Sequence, residues 1–191
     1  MLRFFEEYCN QIFPSVDTEI QNAVRTAIKQ INMDNKNWFM PKLLPDLSQG
    51  DILSELPFTI QKEDGSTETY MTKGMILSNT CDLVRDDYIM IAPLYDISKG
   101  PFEEKQIKDL KDNVFSGKMC FKNSGLDNYF ADFSQSTTFN RKLILEAMDR
   151  DFVKREESLT QFAWYMLLIK LTVYYMRVEN HEWFESREKG I

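Results

Sequence analysis

The spacing of apolar residues changes from a helical to an extended period near residue 48. In residues 16–31 apolar side chains recur every three or four positions, and a similar face precedes Pro14. Residues 1–32 are therefore predicted to form two helices. Beyond residue 48 the apolar residues come in short runs between turn-forming residues, which is typical of β-strands. The pair Asp64 and Gly65 predicts a hairpin between residues 58–62 and 67–71.

Two fully apolar runs follow this hairpin. Residues 75–77 and 89–94 contain almost only apolar side chains, which is typical of buried strands. With the segments at 50–53 and 56–63, the pattern predicts four or five strands before residue 95. This density favours a small antiparallel barrel or sandwich, because parallel strands would need a crossover helix between them.

The second half of the chain alternates between strands and helices. A charged helix is predicted at residues 101–113, and strands follow at 117–121 and 129–134. Asn140 is a suitable N-cap for a helix that continues to Met148, and a long helix is predicted from about residue 156 to 179. We therefore expect a single α+β domain over residues 1–191, with a helical N-terminal extension (1–40), a small β barrel (48–135) and C-terminal helices (139–180).

The long apolar segment at residues 159–176 also raises the question of a membrane span. Lys170 lies inside it, and a lysine in the middle of a bilayer costs a few kcal/mol. A buried helix or a subunit interface is the favoured interpretation, and a membrane span is the alternative. A helix that is apolar on nearly all sides must be covered, so we expect a protein partner or a second copy of the chain to bind through the helices.

The charge and the cysteine content argue against nucleic-acid binding, a zinc site and a disulfide framework. The net charge is −7, and residues 40–100 carry five basic against ten acidic side chains, so no basic region attracts a phosphate backbone. Cys9, Cys81 and Cys120 form no CxxC pair, which argues against a zinc site or a disulfide framework. Glu6 and Glu7 interrupt any apolar leader, so we expect a cytoplasmic protein. No cofactor or metal motif is present in the sequence, and none is expected.

An unusual polar cluster follows the apolar run at residues 75–77. Because it comes directly after a buried strand, it is expected at the barrel rim, where binding sites often form. In one interpretation Cys81 is a nucleophile, but the thiolate needs a base, and the single histidine, His181, lies in the polar tail. In the favoured alternative the polar side chains bond to turn backbone and Cys81 packs as a small apolar group. The candidate binding residues are Ser78, Asn79, Thr80, Cys81 and Asp82.

Several segments, taken in order, resemble the PemK/MazF/Kid group of bacterial toxins. These are the Gly-Asp-Ile at Gly50, the Met-Ile-Leu-Ser-Asn at Met75, the Ile-Met-Ile-Ala-Pro-Leu at Ile89 and the later segment at residues 132–144. The resemblance covers residues 50–144 in scattered pieces. It implies an SH3-like barrel and a bacterial or phage protein connected with a toxin–antitoxin or defence system.

The chemistry of the group carries over only in part. Its RNA-cleaving members use an Arg just before the strand that corresponds to Met75, and a Ser or Thr just after the Ala-Pro-Leu strand. The first position falls here on Thr72 or Lys73 and the second on Tyr95, and a lysine lacks the planar fork with which arginine grips phosphate. We therefore expect a non-catalytic macromolecule-binding protein on a PemK-like barrel. The alternative is a ribonuclease-like hydrolase with an altered active site at Lys73 and Tyr95.

Overall fold

The computed structural model describes residues 36–175, so the two helices predicted in residues 1–32 lie outside the described part of the chain. The strands in this part are β1 Ile52–Gln61, β2 Thr67–Ile76, β3 Tyr88–Asp96, β4 Lys118–Cys120, β5 Tyr129–Asp132, β6 Thr137–Asn140 and β7 Arg155–Glu157. The α-helices are α1 Asp82–Arg85, α2 Glu104–Lys111, α3 Arg141–Asp149 and α4 Gln161–Tyr175.

All seven strands join one curled antiparallel sheet. The strand order is β4-β5-β3-β2-β1-β7. Strand β6 pairs with residues 88–91 of β3, whereas β5 pairs with residues 94–96 of the same strand. Within residues 36–175 the end strands β4 and β7 do not pair with each other, so the sheet forms a half barrel with two edges. The expected α+β class and the antiparallel sheet are confirmed.

The region before residue 97 contains three long strands instead of the four or five predicted. The segments at 50–53 and 56–63 belong to one strand, β1, which carries a bulge between Leu53 and Leu56. Glu55 lies in this bulge and has a positive φ of 55°. A bulge adds an unpaired residue to one strand, and the pairing with the neighbouring strand resumes after it. The segments at 67–71 and 75–77 are likewise joined, because β2 runs without a break through Lys73.

The prediction that the last helix begins near residue 156 is wrong. Arg155–Glu157 forms β7 and pairs with β1, and α4 starts only at Gln161. Thr160 sets this start, because its Oγ1 accepts a hydrogen bond from the backbone N of Ala163 at 3.3 Å. The backbone N of Thr160 donates to the carbonyl of Trp38 at 2.9 Å. The end predicted near residue 179 lies outside the described residues.

Residues of two C-terminal helices take part in two separate buried clusters of the sheet. One face packs against α4 through a cluster that includes Ile52, Met75, Ala163 and Leu167. The other face packs against α3 through Leu53, Leu56, Phe58, Ile89, Ile91 and Ile144. Neighbouring residues of β1 therefore serve opposite cores, as the alternation of a strand requires.

One predicted feature of the helices is confirmed. The side chain of Asn140 accepts a hydrogen bond from the backbone N of Leu143 at 3.2 Å and so caps α3. Trp38, which precedes the sheet, is buried, with only 1% of its surface exposed. Helix α4 is buried along one face, through Ala163, Met166, Leu167, Lys170 and Val173. Between residues 36 and 175 we find no helix with the length and apolar character that crossing a membrane requires. The expected subunit contact through the helices stays a prediction.

Candidate functional site

An open cleft forms where β2 and β3 separate. The two strands pair at only three positions, and the last of these joins Gly74 to Pro93. Residues of β2 before Gly74 do not pair with β3, and Leu94 of β3 pairs with Ala131 of β5. The outer part of β2 remains paired with β1 alone. The cleft between the diverging strands has a volume of about 820 Å³, which is in the range of small-molecule and peptide sites.

A row of aromatic rings forms the floor of this cleft. The ring centroids of Tyr70 and Tyr95 lie 6.0 Å apart, and Phe130 follows at 5.7 Å from Tyr95. Phe102 closes the row edge-to-face against Phe130, with centroids 5.7 Å apart. Such rings offer broad apolar faces that can bury a partner's side chain.

The two tyrosine hydroxyls are bonded to each other, with their oxygens 2.5 Å apart. Burial raises the pKa of Tyr70, and its hydrogen bond with Tyr95 adds to this effect. Burial also raises the pKa of Tyr95. Both phenols therefore stay protonated at neutral pH, and neither can act as a general base there.

The lysines of the cleft are matched by carboxylates. Lys73 pairs with Glu156, and Lys118 pairs with Asp132. Lys118 also lies over the ring of Phe130, 5.1 Å from its centroid. Lys99 faces Asp96 more loosely, at 3.8 Å, and is itself 81% exposed. The cleft is therefore nearly neutral overall, and it offers a polyanion little net attraction.

The structure brings Lys73 and Tyr95 to the same cleft, as neighbours of Thr72. The hydroxyl of Thr72 donates to the carbonyl of Leu94 at 2.7 Å, so its proton is already used. The sequence reasoning did not identify Tyr70, Phe102, Phe130 or Lys118. Their contribution depends on the pairing of β3 with β5 and on the path of the chain after β3, and alternation within one strand reveals neither.

The turn at residues 78–82 lies at the other end of β2 from the cleft. Ser78 Oγ accepts from the backbone N of Met90 at 2.8 Å, and Thr80 Oγ1 accepts from Gln49 N at 3.0 Å. Asn79 Oδ1 accepts from Cys81 N at 2.9 Å.

These contacts organise backbone, as the favoured interpretation of Asn79 and Thr80 predicted. Asp82 differs, because its carboxylate pairs with the guanidinium of Arg85 at 2.9 Å. The expected packing of Cys81 as an apolar group is wrong, since its side chain is exposed. The assignment of residues 78–82 as a binding site stays a prediction.

Neither the arrangement of side chains nor the comparison with known proteins identifies a ligand for the cleft. Within residues 36–175 no three His, Cys, Asp or Glu side chains are grouped so that they could hold a metal ion. No protein-family model matches this chain. A search of curated proteins gave no match. The interpretation of the cleft therefore rests on its own geometry and charge.

Proposed function

We propose that this protein is a non-catalytic binding protein whose cleft between β2 and β3 holds a segment of a protein partner. We further propose that its curled sheet is a variant of the SH3-like barrel of the PemK/MazF/Kid group. The observation that carries the functional proposal is the combination of an aromatic floor with paired charges at Lys73 and Lys118. The toxin–antitoxin or phage-defence context is part of the same proposal and rests on the resemblance.

The aromatic floor suits apolar side chains of a protein better than phosphates. Aromatic residues in concave sites supply much of the binding energy in protein interfaces. The row from Tyr70 to Phe102 provides such a surface, and its pairs Tyr95–Phe130 and Phe102–Phe130 have centroids 5.7 Å apart. A nucleic-acid groove would need unpaired cations along its length, whereas Lys73 and Lys118 are each held by a carboxylate.

Phe102 offers a direct test, with Phe152 as its matched control. Phe102 lines the cleft and is partly buried, whereas Phe152 is 68% exposed and does not line it. A phage-displayed random peptide library is selected on the immobilised full chain, and the affinities of the enriched peptides are then measured. Phe102→Ala should weaken binding about tenfold or more, because truncating a hot-spot residue costs about 2 kcal/mol or more. Phe152→Ala should leave the affinity unchanged.

The proposal fails if no peptide is enriched on the wild-type protein. It also fails if the enriched peptides bind both variants equally well, because they would then occupy another surface. Thermal unfolding of both variants, followed by circular dichroism, shows whether Phe102→Ala has changed the fold.

One observation favours a second candidate, the ribonuclease-like hydrolase. Lys73 and Tyr95 line the same cleft, as the resemblance would require. Purified protein is incubated with mixed single-stranded RNA, together with the variants Lys73→Ala and Lys154→Ala. Lys154 is exposed and lies outside the cleft, which makes it the matched control. Cleavage that is lost only in Lys73→Ala would support the hydrolase. We expect no cleavage, because the ammonium of Lys73 is held by Glu156.

A further inference from the structure

The outer part of β2 has a free backbone edge beside the cleft. Residues 67–72 pair with β1 on one side, and within the described chain no strand pairs with them on the other. In an antiparallel pair, successive residues direct their N–H and C=O groups alternately to the two sides. Every second residue of this segment therefore directs its backbone groups toward the cleft.

Three contacts show which residues these are. Leu77 donates its backbone N–H to Met90 of β3 at 2.8 Å, so odd-numbered residues of β2 face β3. Met71 lies opposite Pro57, which has no N–H to exchange with it. Thr59 and Thr69 face each other with their hydroxyl oxygens 3.0 Å apart, as expected for a pair without backbone hydrogen bonds, where side chains approach most closely. Thr67, Thr69 and Met71 are therefore the edge residues.

This edge lacks the usual protection against strand addition. Natural proteins block exposed edges with lysines, prolines or bulges, but residues 67–72 contain no Lys and no Pro. The bulge of this hairpin lies on β1, near Glu55, and leaves the alternation of β2 intact. The one charge in the segment, on Glu68, is paired with Lys62 at 2.7 Å.

We propose that the partner binds as an additional β-strand along residues 67–71 of β2. This inference rests on the proposed function and specifies its geometry and ligand class. The occupant is an extended, uncharged segment of another protein, because a free strand edge is satisfied by a second peptide backbone. Its alternate side chains are apolar and lie on the aromatic floor near Tyr70 and Tyr95. Charge matching supports an uncharged segment, since the ion pairs of Lys73 and Lys118 leave no net charge to complement.

Amide exchange in the free full-length protein tests the edge itself. Residue-resolved NMR exchange should show fast exchange at Thr67, Thr69 and Met71, and slow exchange at Glu68 and Tyr70, which bond to β1. Adding a peptide enriched in the library selection should slow exchange at Thr67, Thr69 and Met71 only. Protection of Thr69 and Met71 before any peptide is added would overturn the proposal. In that case a second copy or another part of this chain already covers the edge. Only coverage by a second copy would be lost when the protein is diluted until it is monomeric, so exchange measured at several concentrations distinguishes these two cases.

Two substitutions at Met71 separate backbone from side-chain binding. Met71→Ala keeps the N–H and removes an exposed side chain, whereas Met71→Pro also removes the N–H. Proline is tolerated at edge positions, and the opposite residue, Pro57, receives no hydrogen bond from Met71 on this register. Peptide affinity should fall about fivefold further in Met71→Pro than in Met71→Ala, since one backbone hydrogen bond contributes about 1 kcal/mol.

The peptide provides an independent measurement if Met71→Pro is poorly folded. Two versions of the enriched peptide are made, one with N-methyl groups on the odd-numbered residues and one with them on the even-numbered residues. The version whose methylated nitrogens face β2 should not bind, and the other should bind normally. If Phe102→Ala weakens the peptide while Met71→Pro and all N-methylated peptides bind normally, strand addition is wrong and the cleft-binding function stands. If no peptide is enriched at all, the proposed function itself fails.

Discussion

Lys170 lies in the core and donates a hydrogen bond from Nζ to the backbone carbonyl of Phe115 at 2.8 Å. The same Nζ reaches the carbonyl of Asn113 at 3.0 Å, and only 1% of the residue is exposed. These bonds join α4 to the segment between α2 and β4. Burial lowers the pKa of Lys170 to about 7, because removing an ammonium group from water disfavours its charged form.

The first prediction concerns the pH dependence of stability. The folded protein releases the Lys170 proton near pH 7, whereas the unfolded chain holds it until about pH 10.4. Between these values the unfolded state binds more protons, so stability rises with pH, by up to about 1.4 kcal/mol per pH unit. Urea unfolding of the wild type and of Lys170→Met at several pH values should show a difference that changes between pH 7 and 9 and is constant below pH 6.

Ionisation of Cys120 also changes the stability at high pH and therefore overlaps with the effect of Lys170. Burial raises the pKa of its thiol to about 12, so it opposes folding only once the unfolded thiol ionises, above about pH 8.5. A Cys120→Ala background removes this contribution and leaves the Lys170 effect alone. A difference between wild type and Lys170→Met that does not vary with pH would contradict the lowered pKa.

A second prediction concerns Asp51 at the start of β1. Its Oδ2 accepts from the backbone N of Ser48 at 2.8 Å and lies 3.4 Å from the guanidinium of Arg155, and Asp51 itself is fully buried. Asp51→Ala should cost about 1–3 kcal/mol of unfolding free energy, because it leaves the buried backbone N–H of Ser48 without its acceptor.

Asp51→Asn is the matched control for this change. It keeps an acceptor for Ser48, and burial already raises the pKa of Asp51, which shows that the site disfavours the charge. The loss in Asp51→Asn should therefore be clearly smaller, as measured by denaturant unfolding. Equal losses in both variants would mean that the charge on Asp51, rather than its hydrogen bond, stabilises this site.

A third prediction concerns Gly74, which forms the last pair before β2 and β3 diverge. A Cβ at this position would come within 2.6 Å of Ile91 and 2.8 Å of Leu56. Gly74→Ala should therefore destabilise the protein by about 1–3 kcal/mol through overpacking. Gly125→Ala is the control, because nothing lies within 4 Å of its added Cβ. If Gly74→Ala proved as stable as Gly125→Ala, the close packing of the two strands at the base of the cleft would be refuted.

A fourth prediction separates two cysteines by their accessibility. Cys81 is exposed, whereas Cys120 is buried and has a raised pKa. In a Cys9→Ser background at pH 8, a thiol reagent should label Cys81 rapidly and Cys120 only after denaturant is added. Mass spectrometry of the labelled protein identifies the modified residue. Fast native labelling of Cys120 would show that the core between α2 and β4 opens readily.

The local elements of the middle region could be predicted from the sequence because they depend on neighbouring residues. The Asp64–Gly65 turn, the apolar run near Ile89 and the Asn140 cap are all present in the structure. The bulge at Glu55 was not predicted, since a positive φ at a glutamate has no reliable signal in sequence. Residues 156 and 157 were wrongly assigned to a helix, since the pairing of β7 with β1 is a contact across about a hundred residues that no local pattern reveals.

What the sequence by itself determined was the α+β composition, the places where strands turn and the excess of acidic over basic side chains in residues 40–100, since these follow from local geometry and composition. Only the tertiary structure decided that β2 and β3 separate after Gly74 and Pro93, and that Tyr70, Tyr95 and Phe130 line one cleft. The physical reason is that strand register and ion pairing are properties of contacts between distant segments. Lys73 carries a charge in the sequence, but only its pairing with Glu156 makes the cleft neutral.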